Sequence, residues 1–230
     1  MSEDAAGFVG SIPENYDRGL GPIIFADYAE HTARLVAGYA PSRVLETGAG
    51  TGIVTRRLRD LLPATTRLIA TDLNPPMLDV ARKKFHPDEP VEFQQADAIA
   101  LPFADASFDA VVCQFSVMFF PEKEKSYREA YRVLAPGGRY VFSVWDGDYN
   151  RHGRIADEVA AQFFPTDPPQ FLSGDDELQQ NRSDQGLAER RRLHRSPDCG
   201  ADPGKARCRH QRLCACDGLR QPADRPDPHP

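Results

Sequence analysis

From Pro22 to Phe164 the apolar positions of this sequence switch repeatedly between helical spacing and short unbroken runs. Spacings of three and four predict an amphipathic helix over Pro22–Ala37, with Ile24, Tyr28, His31, Leu35 and Val36 near one face. Arg43-Val-Leu-Glu-Thr47 reads as a strand that runs directly into Gly48-Ala-Gly-Thr-Gly52. A helix is expected over Ile53–Leu62, stopped by Pro63, and a second strand over Leu68–Asp72. Pro75 and Pro76 open a helix that runs through Phe85, since proline is tolerated in a first turn. Val91–Ala96, Phe108–Ser116 and Arg139–Trp145 are three more strands. A helix over Glu122–Leu134, stopped by Pro136-Gly137-Gly138, precedes the last of them, and Ile155–Phe164 is a final helix. The run at Phe108–Ser116 is apolar on both faces, as a central parallel strand is. Strand and helix alternate five times, which predicts an α/β, doubly wound, mostly parallel sheet with helices on both faces.

The pattern breaks near Phe171. From Ser173 to Pro230 there is no Val, Ile, Met, Phe, Tyr or Trp, and Leu occurs only at scattered positions. Ten Arg and a single Lys, Lys205, are set there among Asp, Pro, Gly, Gln and Cys. Such a segment buries too little apolar surface to offset the entropy of ordering its backbone. Two domains are therefore expected: 1–170 as the folded unit, with its core at 43–165, and 171–230 as a disordered tail with a short helix around Leu187–Leu193. The tail's composition is also what a shifted reading frame of a GC-rich gene yields.

The chain has 230 residues and a formal net charge of -6, which disfavours a nucleic-acid partner because phosphate binding needs clustered Lys and Arg. No run of eighteen apolar residues exists, so no membrane span is expected, and the acidic Met-Ser-Glu-Asp start lacks the features of a secretory signal. A cytoplasmic location is the resulting expectation. Of the five cysteines, Cys113 lies alone in an apolar strand, while Cys199, Cys208, Cys214 and Cys216 fall in the tail without the paired spacing of a zinc site. No metal is expected.

The chemistry concentrates in Glu46-Thr47-Gly48-Ala49-Gly50-Thr51-Gly52. Its glycines close a strand–loop–helix turn, let the backbone approach a ligand, and aim helix N–H groups at it. Asp72 follows at the end of the next strand, where a carboxylate can accept both ribose hydroxyls of a nucleoside. A nicotinamide site wants G-x-G-x-x-G, but the third glycine's place is held by Ile53. S-adenosylmethionine (SAM) has no pyrophosphate to cradle and carries an α-amino group that needs an anionic or carbonyl environment, which Glu46 can help order.

V-L-E-T-G-A-G-T-G-I-V-T resembles the first motif of class I SAM-dependent methyltransferases. Four further blocks follow in order: Ala70–Arg82, Gln95–Ala98, Leu101–Phe115 and Arg132–Arg139. Together they are similar to the small-molecule type, such as the ubiquinone/menaquinone C-methyltransferases, from about Tyr16 to Phe164. The resemblance implies a Rossmann-like methyltransferase sheet and a SAM site made of Glu46, Thr47, Gly48, Ala49, Gly50, Asp72, Leu73, Met77, Asp97, Ala98, Gln114 and Phe115. Within it Gly48, Ala49 and Gly50 pack on the methionine and ribose part, and Asp72 takes the ribose hydroxyls. Leu73 and Met77 flank the adenine, Asp97 binds its amino group, and Ala98 supplies a backbone N–H. Gln114 and Phe115 sit beside the methionine moiety.

Methyl transfer asks mainly for proximity and orientation, so no catalytic residue is assigned. Tyr16, His31, Tyr149 and His152 are the titratable groups near the cleft. Phe25 and Tyr28 read as helix packing, with a lid over SAM as the other reading. Asn74-Pro-Pro-Met77 resembles the N-P-P motif of amino-directed DNA methyltransferases, but it follows the second strand rather than the fourth.

The family's sheet closes with two further strands, and none is legible after Trp145. An exposed edge at the fifth strand, carrying Tyr140, Phe142 and Val144, is therefore expected. Two readings of function remain: SAM-dependent methylation of a small-molecule acceptor, or a truncated remnant with residual or no SAM binding.

Overall fold

A computed structural model describes residues 10–145, positions 155, 158, 159 and 161–164, and the backbone of 211–217. Five strands pair in parallel: β1 (Arg43–Thr47), β2 (Arg67–Asp72), β3 (Val91–Gln95), β4 (Phe108–Gln114) and β5 (Leu134–Trp145). A sixth, β6 (Gln211–Asp217), runs antiparallel to β5, giving the order β3-β2-β1-β4-β5-β6. The chain steps outward from β1 to β3 and then returns to lay β4 on the other side of β1. The strand order therefore reverses between β1 and β4, and the carboxyl ends of the strands at such a point are where open α/β sheets bind ligands.

The alternation of strand side chains separates two cores. Val44, Leu68, Ala110, Val112 and Val141 face α2 (Ala26–Ala37) and α3 (Ile53–Leu61), where Ala29, Ala33, Val36, Val54 and Leu58 are buried. Ala70 on that same face packs with Leu78 of α4 (Pro75–Arg82). Leu45, Ile69, Val111, Cys113, Tyr140 and Phe142 face the other way, onto Ala130 and Val133 of α5 (Lys123–Val133) and the loop residue Leu101. Helices thus cover both faces, as the alternating pattern predicts.

Three differences from the sequence reading have physical causes. First, the N-terminal helix starts earlier: α1 (Ile12–Leu20) precedes a widened π-helical turn at Gly21–Phe25, which leads into α2. Pro22 brings no N–H, and the i to i+5 turn closed by the Ala26 N–H on the Gly21 carbonyl accommodates it without ending the helix. Second, β5 begins at Leu134 and runs through Pro136-Gly137-Gly138, with an irregular register between Phe108↔Leu134 and Ala110↔Arg139. Third, β5 is not an unpaired edge: Trp145 to Arg139 pair in register with Gln211 to Asp217. Leu213-Cys-Ala-Cys216 is the one run of four apolar residues after Ser173, and that local signal was hidden by the average composition of the tail. Apart from this strand, 171–230 lies outside the described residues, as does the expected helix at Leu187–Leu193. Of the expected helix at Ile155–Phe164, positions 155, 158, 159 and 161–163 are helical.

Candidate functional site

The loop between β1 and α3 is shaped by glycines that take positive φ. Gly48 has φ +64°, and a Cβ there would stand 2.4 Å from the Ser116 Cβ. Ser116 uses that proximity: its hydroxyl donates to the Gly48 carbonyl at 2.9 Å, tying the end of β4 to the loop. Gly52, at φ +76°, lets α3 start against Ala81 of α4, whose Cβ would be 2.8 Å from a side chain at this position. At Gly50, φ +54°, an added Cβ would make ordinary contact with the Met77 methyl at 3.5 Å.

Asp72 ends β2 beside this loop and is 8% exposed. Its Oδ2 accepts the Gly50 N–H at 2.8 Å and its Oδ1 accepts the Asn74 N–H at 2.8 Å. The Asn74 side-chain amide also donates to Oδ1, at 3.4 Å. A carboxylate offers about four lone-pair positions, so a ligand hydroxyl would take the place of one of these weaker donors. Burial raises the Asp72 pKa, while the Asn74 and Gly50 N–H groups work against that rise.

Glu46, 2% exposed, points under the first turn of α3, where the Thr55 hydroxyl donates to its Oε2 at 2.6 Å. Burial pushes its pKa up to about 8, the Thr55 bond opposes the shift, and the charge of Asp72 adds to it. Neither carboxyl forms an ion pair among the described residues. A cationic group beside Asp72 would favour its charged form.

The remaining sequence-derived positions fall around the same strand ends. Ala49 donates its N–H to the Thr71 carbonyl at 2.9 Å, and Thr47 donates to the Val112 carbonyl at 3.4 Å, so both serve the loop's own frame. Met77 is buried, and Leu73 is 39% exposed beside it. Asp97 and Ala98 are half-buried in the turn after β3, where Asp97 Oδ1 accepts the Ile99 N–H at 3.0 Å. Gln114 accepts from the Thr32 hydroxyl at 2.9 Å, which anchors α2 over the end of β4. Phe115 takes φ +53°, uncommon for a bulky residue, and so turns its ring onto Trp145, with centroids 3.9 Å apart and planes within 10°.

The fold draws together two groups whose members the sequence gives only singly. One is an aromatic cluster: Phe25 and Tyr28 reach Phe115 at 5.8 and 5.3 Å, and Tyr16 stacks on Phe25 at 5.4 Å. The second is the frame of hydroxyls, Thr55, Thr71 and Ser116, that holds the loop. The hydroxyl of Thr51, inside the glycine loop, is buried with no partner among the described residues. Of the titratable candidates, Tyr16 is half-buried near Asp72, whose charge, after burial, raises its pKa. His31 is exposed on α2, while Tyr149 and His152 lie outside the described residues.

Residues 45–142 match the model of a methyltransferase domain. This stretch is a methyltransferase domain. Over 103 residues the chain is 45% identical to a demethylmenaquinone methyltransferase of Thermus thermophilus, covering 44% of this chain and 46% of that protein. Over 157 residues it is 34% identical to a ubiquinone/menaquinone biosynthesis C-methyltransferase of Pseudomonas savastanoi, covering 66% and 59%. The chain spans about half the length of the curated relatives it matches. A candidate S-adenosyl-L-methionine-dependent methyltransferase of Methanococcus maripaludis superposes with a TM-score of 0.66 at 19% identity, covering 97% of this chain and 99% of that one, which shows the shared fold. The matched stretch contains most of β1 and of β5, all of β2 to β4 and α3 to α5, and thus the whole glycine loop and Asp72. Among the described residues no helix is long and apolar enough to cross a membrane.

Proposed function

We propose that the chain binds SAM at the carboxyl ends of β1, β2 and β4 and transfers its methyl group to a small apolar acceptor, working in the cytoplasm. The observation that carries this reading is the Asp72 carboxylate, fixed at the end of β2 and held across the glycine loop by the Gly50 N–H at 2.8 Å. One further feature supports the fit: the Thr51 hydroxyl in the glycine loop, buried and without a partner among the described residues. In this reading Gly48, Ala49 and Gly50 approach the ligand by backbone, and Leu73 and Met77 border its base. Asp97 and Ala98 read the edge of that base, and Gln114 and Phe115 sit at the reacting end.

SAM supplies an already activated methyl group. The protein has to align an acceptor in line with it and keep water away. The ring surface of Phe25, Tyr28, Phe115 and Trp145, with the buried Met118 beneath, suits a planar apolar acceptor. The relatives named for demethylmenaquinone and ubiquinone/menaquinone point to the same class, a reduced quinone ring. A transfer assay with methyl-labelled SAM and a panel of hydroquinones, phenols and amines tests this. Label in a hydroquinone product is the expected result; no label in any acceptor, with SAM bound, would leave the chain a cofactor-binding remnant.

A further inference from the structure

At the carboxyl ends of β4 and β5, polar side chains gather on the face that α2 covers. Gln114, the last residue of β4, lies in register with Ser143 of β5. Each comes two residues after a valine, Val112 and Val141, that packs toward α2, so both side chains turn to that face. Thr32 of α2, 1% exposed, reaches the first of them: its hydroxyl donates to Gln114 Oε1 at 2.9 Å. With Oε1 held in this way the amide nitrogen points elsewhere, and its N–H groups donate to nothing among the described residues. The Ser143 hydroxyl, in a residue that is 1% exposed, is likewise without a partner among them. Buried polar groups of folded proteins are nearly all hydrogen-bonded, so two unmatched neighbours in one corner call for a group from outside the chain.

Aromatic rings adjoin these polar groups. Phe115 follows Gln114, Trp145 stands two residues beyond Ser143, and Tyr28 lies one turn before Thr32 on α2. Tyr28 meets Phe115 and Trp145 edge-on at 5.3 and 5.8 Å. We propose that Gln114 donates from its amide nitrogen to an oxygen carried by the acceptor ring, with the Ser143 hydroxyl beside it. Thr32 is then a positioning residue, which keeps the amide turned that way. The site selects an oxygenated aromatic ring, a phenol or hydroquinone, over a bare ring of the same size. A donor at that oxygen also favours its ionised form. The assignment rests on the proposed SAM and acceptor site.

Two probes separate the oxygen from the ring: 2-naphthol, a planar double ring with one hydroxyl, and naphthalene, the same ring without it. Their binding to the chain saturated with S-adenosylhomocysteine is measured by equilibrium dialysis. Wild type is compared with Thr32→Val, which keeps the shape and loses the hydroxyl, and with Thr32→Ser, which restores it. Gln114→Glu, which still accepts from Thr32 but carries no N–H, is the fourth protein. Wild type and Thr32→Ser are expected to hold 2-naphthol about tenfold tighter than naphthalene. Thr32→Val and Gln114→Glu should bring the two probes within about twofold of each other, with little change for naphthalene itself. Bound 2-naphthol should also ionise at a lower pH in wild type than in Thr32→Val, read from its absorbance. The same preference in all four proteins, or no binding of either probe, overturns the assignment and leaves the cofactor site standing. Weaker S-adenosylhomocysteine binding by Thr32→Val with the naphthol preference intact also overturns it, because the amide then serves the cofactor. No S-adenosylhomocysteine binding by wild type overturns the SAM site, and the acceptor contact with it.

Discussion

At the residue scale, the account rests on side chains whose surroundings leave little latitude. Gly48→Ala would drive a Cβ to within 2.4 Å of Ser116 at a φ that disfavours it. It should destabilise the protein by about 2–4 kcal/mol, read as a lower denaturation midpoint. Adding Ser116→Gly should recover part of that loss, because the clash goes while the φ penalty stays. Glu46 gives a pH signature. Its carboxyl, ordinarily near 4.5, titrates at about 8 in the fold. Below the ordinary value both folded and unfolded chains hold the proton, and the buried group imposes no penalty. As pH rises from there toward about 8, only the unfolded chain releases it, so stability falls, and above the folded value it levels off. Glu46→Gln removes that slope. Its stability relative to wild type should grow across this window by on the order of a few kcal/mol, measured by denaturant melts at stepped pH. The glycine loop, Glu46 and Asp72 were legible in the sequence because glycine spacing and a strand-end carboxylate are local signals. The Thr55, Ser116 and Trp145 contacts were not, since each joins the site from a different element.

At the element scale, α3 is held by a single buried guanidinium. Arg59, 6% exposed, donates to the carbonyls of Leu62 at 2.9 Å and of Thr66 and Pro90 at 3.1 Å, and also to that of Pro63. Leu62 and Pro63 directly follow α3, whereas Thr66 and Pro90 immediately precede β2 and β3, so one side chain ties the end of the helix to the starts of two strands. Arg59→Leu is expected to cost about 2–4 kcal/mol, and Arg59→Lys most of that, because one ammonium cannot reach four carbonyls in different directions. Equilibrium urea unfolding of the two variants checks the ranking. The five parallel strands and the helices α2 to α5 were readable because each carries its own period and a proline or glycine stop. Helix α1 was not, because Gly19, Gly21, Pro13 and Pro22 disguise a helix that continues through a widened turn. Arg59 itself looked like any surface arginine; only the fold brings four carbonyls around it.

At the scale of the whole molecule, the sheet is closed at β5 by a strand drawn from an otherwise apolar-poor segment. A chain ended after Leu172 would lose that strand and bare the β5 edge with Tyr140, Phe142 and Val144. It should self-associate with rising concentration in sedimentation velocity, where the full chain stays in a lower state. Composition averaged over 173–230 concealed this strand, because seven residues do not shift the mean of the segment. The central claim is that the glycine loop and Asp72, at the carboxyl ends of β1 and β2, hold SAM. Titration calorimetry with S-adenosylhomocysteine tests it most directly, with Asp72→Ala alongside. The account predicts saturable binding at one site per chain, weakened on the order of 100-fold by the substitution; a folded, soluble protein that shows no binding heat at any temperature tried would contradict it.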